Sequence, residues 1–122
     1  MRILIVDRSA LICERLATML CSRNDVEVVA IYDVGMIYES INKFSPDVLI
    51  IDTDMVGAGG MGLVRNLKKH NTSPILIMLT NHSISQYRRR YLDAGADFHF
   101  DKAYEFNKIP DVVNCMRLQR AG

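Results

Sequence analysis

Two carboxylates close a short apolar run, Asp47-Val48-Leu49-Ile50-Ile51-Asp52-Thr53-Asp54. A run this short, rich in branched residues and stopped by acids, reads as a buried strand of a parallel sheet. Ligands of such sheets bind just outside the carboxyl ends of the strands, where Asp52 and Asp54 fall. Three further groups occupy equivalent places: Asp7 after Ile3-Leu4-Ile5-Val6, Thr80 after Ile75-Leu76-Ile77-Met78-Leu79, and Lys102, which with Asp101 follows the short strand Phe98-His99-Phe100. An acid pair, a hydroxyl and an ammonium on one sheet edge form a phosphoryl-transfer set. Asp52 can attack a phosphoryl donor and carry an acyl phosphate. Asp7 and Asp52, with a carbonyl of the following loop, can hold Mg²⁺, while Thr80 and Lys102 bind phosphoryl oxygens. Taken singly, each has a plainer role: a turn former, a capping hydroxyl, a solvated lysine. Their joint placement at four strand ends carries the functional reading.

The elements that must position these groups alternate along the chain. Ser9 caps a first helix with the stripe Ile12, Leu16, Met19 and Leu20. Ser22-Arg23-Asn24-Asp25 is a polar turn before a second, more exposed strand, Val26 to Ile31. Asp33 caps a second helix carrying Ile37, Ile41 and Phe44, which Pro46 prevents from continuing. Gly57, Gly59 and Gly60 lead into a third helix with Leu63, Val64 and Leu67 inward. A fourth runs from about Ile84 to Ala94 and stops at Gly95. Pro110 fits the first turn of a last helix with Val112, Val113, Met116 and Leu118. Five strand-helix units with short loops and no linker predict one α/β domain over 1–122, a (βα)5 doubly wound parallel sheet with right-handed crossovers.

Composition excludes several classes. The hydrophobic share of 49% and charged share of 24% are those of a soluble globular chain. A net charge of +1 supplies no field for nucleic acid or an anionic membrane. The apolar amino terminus meets an acid after six residues, too soon for a signal peptide or a span. Cys13, Cys21 and Cys115 have no paired spacing and are expected as reduced, buried thiols in a cytoplasmic protein. Arg88-Arg89-Arg90 and Lys68-Lys69 are the only basic clusters, and consecutive residues point around a helix, as a solvated face.

The chain resembles a receiver domain of a two-component response regulator, similar to the chemotaxis-type single-domain regulators. The likeness spans Ile3 to Asp7, Pro46 to Asp52, Leu79-Thr80, and Ala94-Gly95-Ala96-Asp97 leading to Lys102. It implies a flavodoxin-like sheet of order 2-1-3-4-5 with the site at the switch between strands one and three. It also implies that Asp52 is the phosphoacceptor, supplied by a histidine kinase or phosphotransfer protein. Asp7 and the backbone carbonyl of Asp54 would serve Mg²⁺ with Asp52, and Thr80 and Lys102 would contact the phosphate. The fourth helix, fifth strand and fifth helix would meet a downstream protein or output domain, and pairing through the last helices allows a homodimer. Neither direct nucleic-acid binding nor membrane attachment is expected.

Three positions depart from that pattern. Arg8 stands where the family has its second metal-site acid, which weakens Mg²⁺ binding unless the Asp54 side chain supplies the missing charge. Arg8 otherwise points away, binds the phosphoryl group, or pairs with Asp54. Ala103 follows Lys102 where the family has a proline after a cis peptide. A cis bond before a non-proline residue costs roughly 2.5–4 kcal/mol, so a trans bond is expected. His99 replaces the switching tyrosine or phenylalanine, either as a rotamer switch sensitive to pH or as a half-exposed strand residue. Asn81 and His82 flank the phosphate entry. The alternative function is a pseudo-receiver, an interaction module that Arg8 keeps unphosphorylated. A haloacid-dehalogenase-like phosphohydrolase lacks its later acid pair here, and a flavin binder would find Asp7 repelling its phosphate. The chain is read either as a stand-alone regulator or as the receiver portion of a longer protein.

Overall fold

A computed structural model describes residues 1–21, 25–69, 74–81 and 85–121. Five strands, β1 (Arg2–Val6), β2 (Glu27–Ile31), β3 (Val48–Asp52), β4 (Ile75–Thr80) and β5 (Phe98–Asp101), form one parallel sheet in the order β2-β1-β3-β4-β5. The three central strands are buried on both faces, because each is an unbroken apolar run with no polar face to offer water. β2 lies at the edge and is half-buried, as its Glu27 foretells.

Alternate residues of the central strands feed two cores. Ile3, Ile5, Ile50, Ile77 and Leu79 pack with Leu16 and Leu20 of α1 (Ala10–Leu20) and with Ile109 and Val113 of α6 (Lys108–Ala121). On the opposite face, Leu4, Val6, Leu49, Ile51, Leu76 and Met78 meet α2 (Ile37–Phe44), α4 (Gly60–Leu67) and α5 (Ser85–Ala94) through Ile37, Val64, Leu67 and Tyr91. The period-2 alternation of each strand is thus split between helices on both sides.

The expected cap of α1 is present, whereas Asp33 caps the turn before α2 and the helix itself starts after Met36 with no side-chain cap. Ser9 Oγ accepts the Ile12 N–H at 3.2 Å. Asp33 caps a 3-10 turn, Val34–Met36, that runs on into α2. Gly95 adopts φ +122°, and a Cβ there would meet Lys68 Cγ at 3.1 Å, so both backbone and space require glycine. Two expectations are corrected. One helix more than expected is present, because the chain makes a single helical turn, α3 (Thr53–Val56), directly after β3. Leu118 is 57% exposed and belongs to the solvent face of α6, since the core is already closed by Val113 one turn earlier.

The cysteines also divide. Cys13 is buried in α1, but Cys21 at the C-cap of α1 and Cys115 on the outer face of α6 are exposed. Burial, with the Asp7 carboxylate nearby, pushes the Cys13 thiol up to about 11. Thiolate is the reactive form, so a disulfide reagent should titrate two thiols quickly in native protein and the third only with unfolding. Three equal rates would contradict this packing.

Candidate phosphoryl-transfer site

The register of the sheet brings the chemistry together. Val6 pairs with Ile51, Asp52 with Leu79, and Thr80 with Asp101, so Asp7, Asp52, Thr80 and Lys102 leave the sheet along one edge. Lys102 reaches back across that edge. Its Nζ lies 2.7 Å from Asp7 Oδ2 and 3.4 Å from Asp52 Oδ1. Both carboxylates are buried, at 2% and 6% exposure.

Local backbone fixes each acid. Asp7 Oδ1 accepts the Ser9 N–H at 2.9 Å, so the turn into α1 holds one of its oxygens and leaves the other to Lys102. Asp52 Oδ1 accepts the Asp54 N–H at 3.1 Å, which makes Asp52 the N-cap of α3. Thr80 is buried at the end of β4, and its carbonyl accepts the Lys102 N–H at 2.8 Å, tying the lysine's backbone to the hydroxyl's own residue. Arg8 is exposed and makes no ion pair among the described residues, so pairing with Asp54 does not occur. Asp54 instead accepts from Asn81 Nδ2 at 2.8 Å. His82 lies outside the described residues.

An acid pair shares one ammonium at the ends of β1, β3 and β5, and residues 3–114 match the response regulator receiver domain. The chain belongs to that family. It is 28% identical over 118 residues to the DNA-binding transcriptional activator EvgA of Escherichia coli K12, covering 96% of this chain and 57% of that one. The two-component response regulator PhoP of Pseudomonas aeruginosa is 27% identical over 122 residues, covering 100% and 54%. The chain thus spans about half the length of these curated relatives. The signal receiver domain of a DNA-binding response regulator from Colwellia psychrerythraea 34H superposes with a TM-score of 0.84 at 21% identity, covering 94% of this chain and 96% of that one. This likeness establishes the shared fold. No described helix is long and apolar enough to cross a membrane.

In this receiver domain the loop after Lys102 is organised by residues that the sequence reading passed over. The Lys102-Ala103 peptide is trans. Asp101 Oδ1 accepts from the N–H groups of Ala103 at 2.7 Å and Tyr104 at 3.1 Å, an Asx turn that shapes the chain where the family has proline. Glu105 accepts the Asp101 N–H at 3.1 Å and pairs with Arg88 of α5 and Lys108 of α6. Arg88 is therefore ion-paired rather than a lone surface charge, and Lys68 likewise pairs with Asp97 at 2.8 Å. The signal legible in the sequence is Asp101 followed two residues later by Ala103, which keeps an N–H that proline lacks, and four residues later by Glu105.

His99 is buried at 4% exposure, which overturns the half-exposed alternative. It falls on the α5 face of β5, while Phe98 and Phe100 face the other core, and its ring stacks on Tyr91 at 5.7 Å. Burial, reinforced by Arg88, holds its pKa below the usual histidine range, so the ring is neutral at pH 7.

Receiver domains generally bind Mg²⁺ at the phosphorylation site. The donor set here fits an oxygen-seeking cation: two buried carboxylates face a single ammonium, which leaves one negative charge uncompensated. No group of three acidic, histidine or cysteine side chains converges among the described residues. Mg²⁺ tolerates a set of one or two carboxylates because it keeps several waters.

The excess charge leaves a mark on Asp52. Burial is the main cause that raises its pKa, and Asp7 adds to it, against the Asp54 N–H and Lys102. A carboxyl raised in the folded state stabilises below its unfolded value of 3.8 and loses that contribution as pH rises through the folded value. At neutral pH the ionised group is a net cost. Asp52→Asn should raise stability at pH 7 by about 0.5–2 kcal/mol, with the gain shrinking toward pH 3. A gain equal at both pH values in chemical denaturation would refute the assignment to ionisation.

Proposed function

We propose that this chain is a phosphorylation-controlled switch in which Asp52 accepts a phosphoryl group from a histidine kinase or phosphotransfer protein. The convergence of Lys102 on Asp7 and Asp52 carries the reading. An oxygen of Asp52 forms the new P–O bond as the donor P–N bond breaks, and the electron pair returns to the donor histidine nitrogen. Lys102, freed from Asp52, is placed to hold a phosphoryl oxygen by charge, and the Thr80 hydroxyl to donate to another. Asp7, Asp52 and the backbone carbonyl of Asp54 would hold Mg²⁺, which neutralises phosphate charge when bound. Beyond its own phosphorylation and dephosphorylation, no substrate turnover is assigned.

The response would pass through Thr80 and His99 to α5, β5 and α6, the face offered to a downstream protein or output domain. The reading takes residues 1–122 as one receiver domain of a cytoplasmic protein, with no direct nucleic-acid or membrane contact and with pairing through the last helices allowed. Arg8 favours a second reading, the unphosphorylated pseudo-receiver, because a fixed cation replaces an acid beside Asp7.

Incubation with acetyl phosphate, with and without Mg²⁺, followed by intact-mass spectrometry separates the two. The switch requires a Mg²⁺-dependent gain of one phosphoryl group that Asp52→Asn abolishes. No gain in wild type, with labelling restored by Arg8→Asp, establishes the pseudo-receiver.

A further inference from the structure

β2 is an edge strand: β1 lies along one side, and among the described residues no strand pairs with the other. Glu27, Val29 and Ile31 turn their backbone groups to β1. The Glu27 N–H donates to the Met1 carbonyl at 2.9 Å, and the Ile31 carbonyl accepts the Asp7 N–H at 3.2 Å. Alternate residues of a parallel ladder face the other way, so the N–H and C=O groups of Val28 and Ala30 line the open edge. Proteins normally blunt such an edge with lysine, proline, a bulge or a covering segment. β2 reads Glu-Val-Val-Ala-Ile, and its one charge stands at the first position. The opposite edge is treated differently, since Glu105 folds back to accept the Asp101 N–H of β5.

The surface beside this open edge is apolar. Val29 is 38% exposed, and Tyr32, Val34, Met36 and Tyr38, on the segment running from β2 into α2, are exposed as well. Five of the ten exposed large hydrophobic side chains among the described residues thus fall between positions 29 and 38, a concentration that marks an interaction surface.

We infer that β2 pairs antiparallel with β2 of a second copy of this chain, joining two sheets across a two-fold axis at Val29. That register sets Val28 opposite the partner's Ala30, and Ala30 opposite the partner's Val28. Each such pair exchanges two N–H···O=C bonds, so every outward-facing backbone group of Val28 and Ala30 is used. Val29 meets its own copy, and Glu27 falls opposite Ile31, so no like charges face each other. The contact is isologous and closes at two copies. A five-residue ladder alone falls short of the roughly 800 Å² per partner of a standard interface. The exposed side chains beyond Ile31 lie beside the start of the partner's strand, where their burial adds to the ladder. This pairing uses the edge opposite β5 and needs no phosphoryl group on Asp52, so it is independent of the switch and of pairing through the last helices.

Sedimentation velocity of the full chain between about 10 µM and about 1 mM tests the pairing, with a dimer of Kd on the order of 100 µM or tighter expected. Val29→Lys sets two ammonium groups across the axis and should weaken the dimer about tenfold. Val29→Glu should do the same, and an equimolar mixture of the two variants should recover a heterodimer. Ala30→Pro removes an N–H that β1 does not use, as proline on an edge strand allows. It should also leave a monomer, and it carries the test if the Val29 variants do not fold. A chain that stays monomeric over the whole range, a dimer unmoved in a folded variant, or no recovery in the mixture overturns the proposal.

Discussion

Lys102→Met should unfold this domain more readily than any other single change at the site, at a cost of about 3–5 kcal/mol at pH 7. The ammonium is the only cation within 4 Å of either Asp7 or Asp52 among the described residues. Both acids are almost wholly withdrawn from water. Removing the cation leaves two buried carboxylates facing each other with no compensating charge, an arrangement that raises at least one pKa. A raised folded-state carboxyl costs stability as pH climbs past its unfolded value. The deficit of the variant should therefore be largest at neutral pH and shrink on acidification toward pH 4. Adding Asp52→Asn to Lys102→Met removes one of the two charges and should recover much of the loss, which makes the pair strongly non-additive. Urea unfolding of the four proteins at two pH values measures this. Equal deficits at both pH values, or simple additivity, would mean that the lysine stabilises through packing and not through charge.

That coupling explains why the site was only partly legible in the sequence. The strands announce themselves because Ile3 to Val6, Val48 to Ile51 and Leu76 to Leu79 are buried on both faces and so carry no polar interruption. Parallel alternation then dictates that whatever follows each run lies on one edge, which is enough to gather Asp7, Asp52, Thr80 and Lys102. What alternation does not dictate is the sharing of side chains. Whether Lys102 meets Asp52 or Asp7 depends on the path of the loop after it, and that path is set by Asp101 and Glu105. The α3 turn is hard to see in the sequence because it is four residues long and its cap, Asp52, is also the residue that the chemistry singles out. Asp52 does both, as an N-cap and as a candidate nucleophile. The place of His99 stays open in the sequence for a related reason: histidine has no strong preference for inside or outside, and only its register between Phe98 and Phe100 puts it under α5. The basic run misled in the same way, since Arg88 faces a buried-edge glutamate while Arg89 and Arg90 face water.

Arg8→Asp should reverse sign with the metal. Arg8 follows Asp7 at the end of β1, is exposed, and makes no ion pair among the described residues, so its removal costs no salt bridge. Without Mg²⁺, the substitution adds a carboxylate beside an acid pair that already has one negative charge in excess. Stability should fall, because like charges at close range raise the cost of folding. With Mg²⁺, the same carboxylate adds an oxygen donor and removes a repelling cation. Exchanging a positive for a negative charge within several ångströms of a divalent ion is worth on the order of 1–2 kcal/mol near a protein surface, or roughly tenfold in affinity. A ligand that binds only the folded state stabilises it in proportion to the logarithm of its saturation. The variant should therefore melt below wild type in chelator and above it in millimolar Mg²⁺, while wild type responds weakly to the ion. Parallel melting curves in both buffers would show that Arg8 lies too far from the acids to govern the cation.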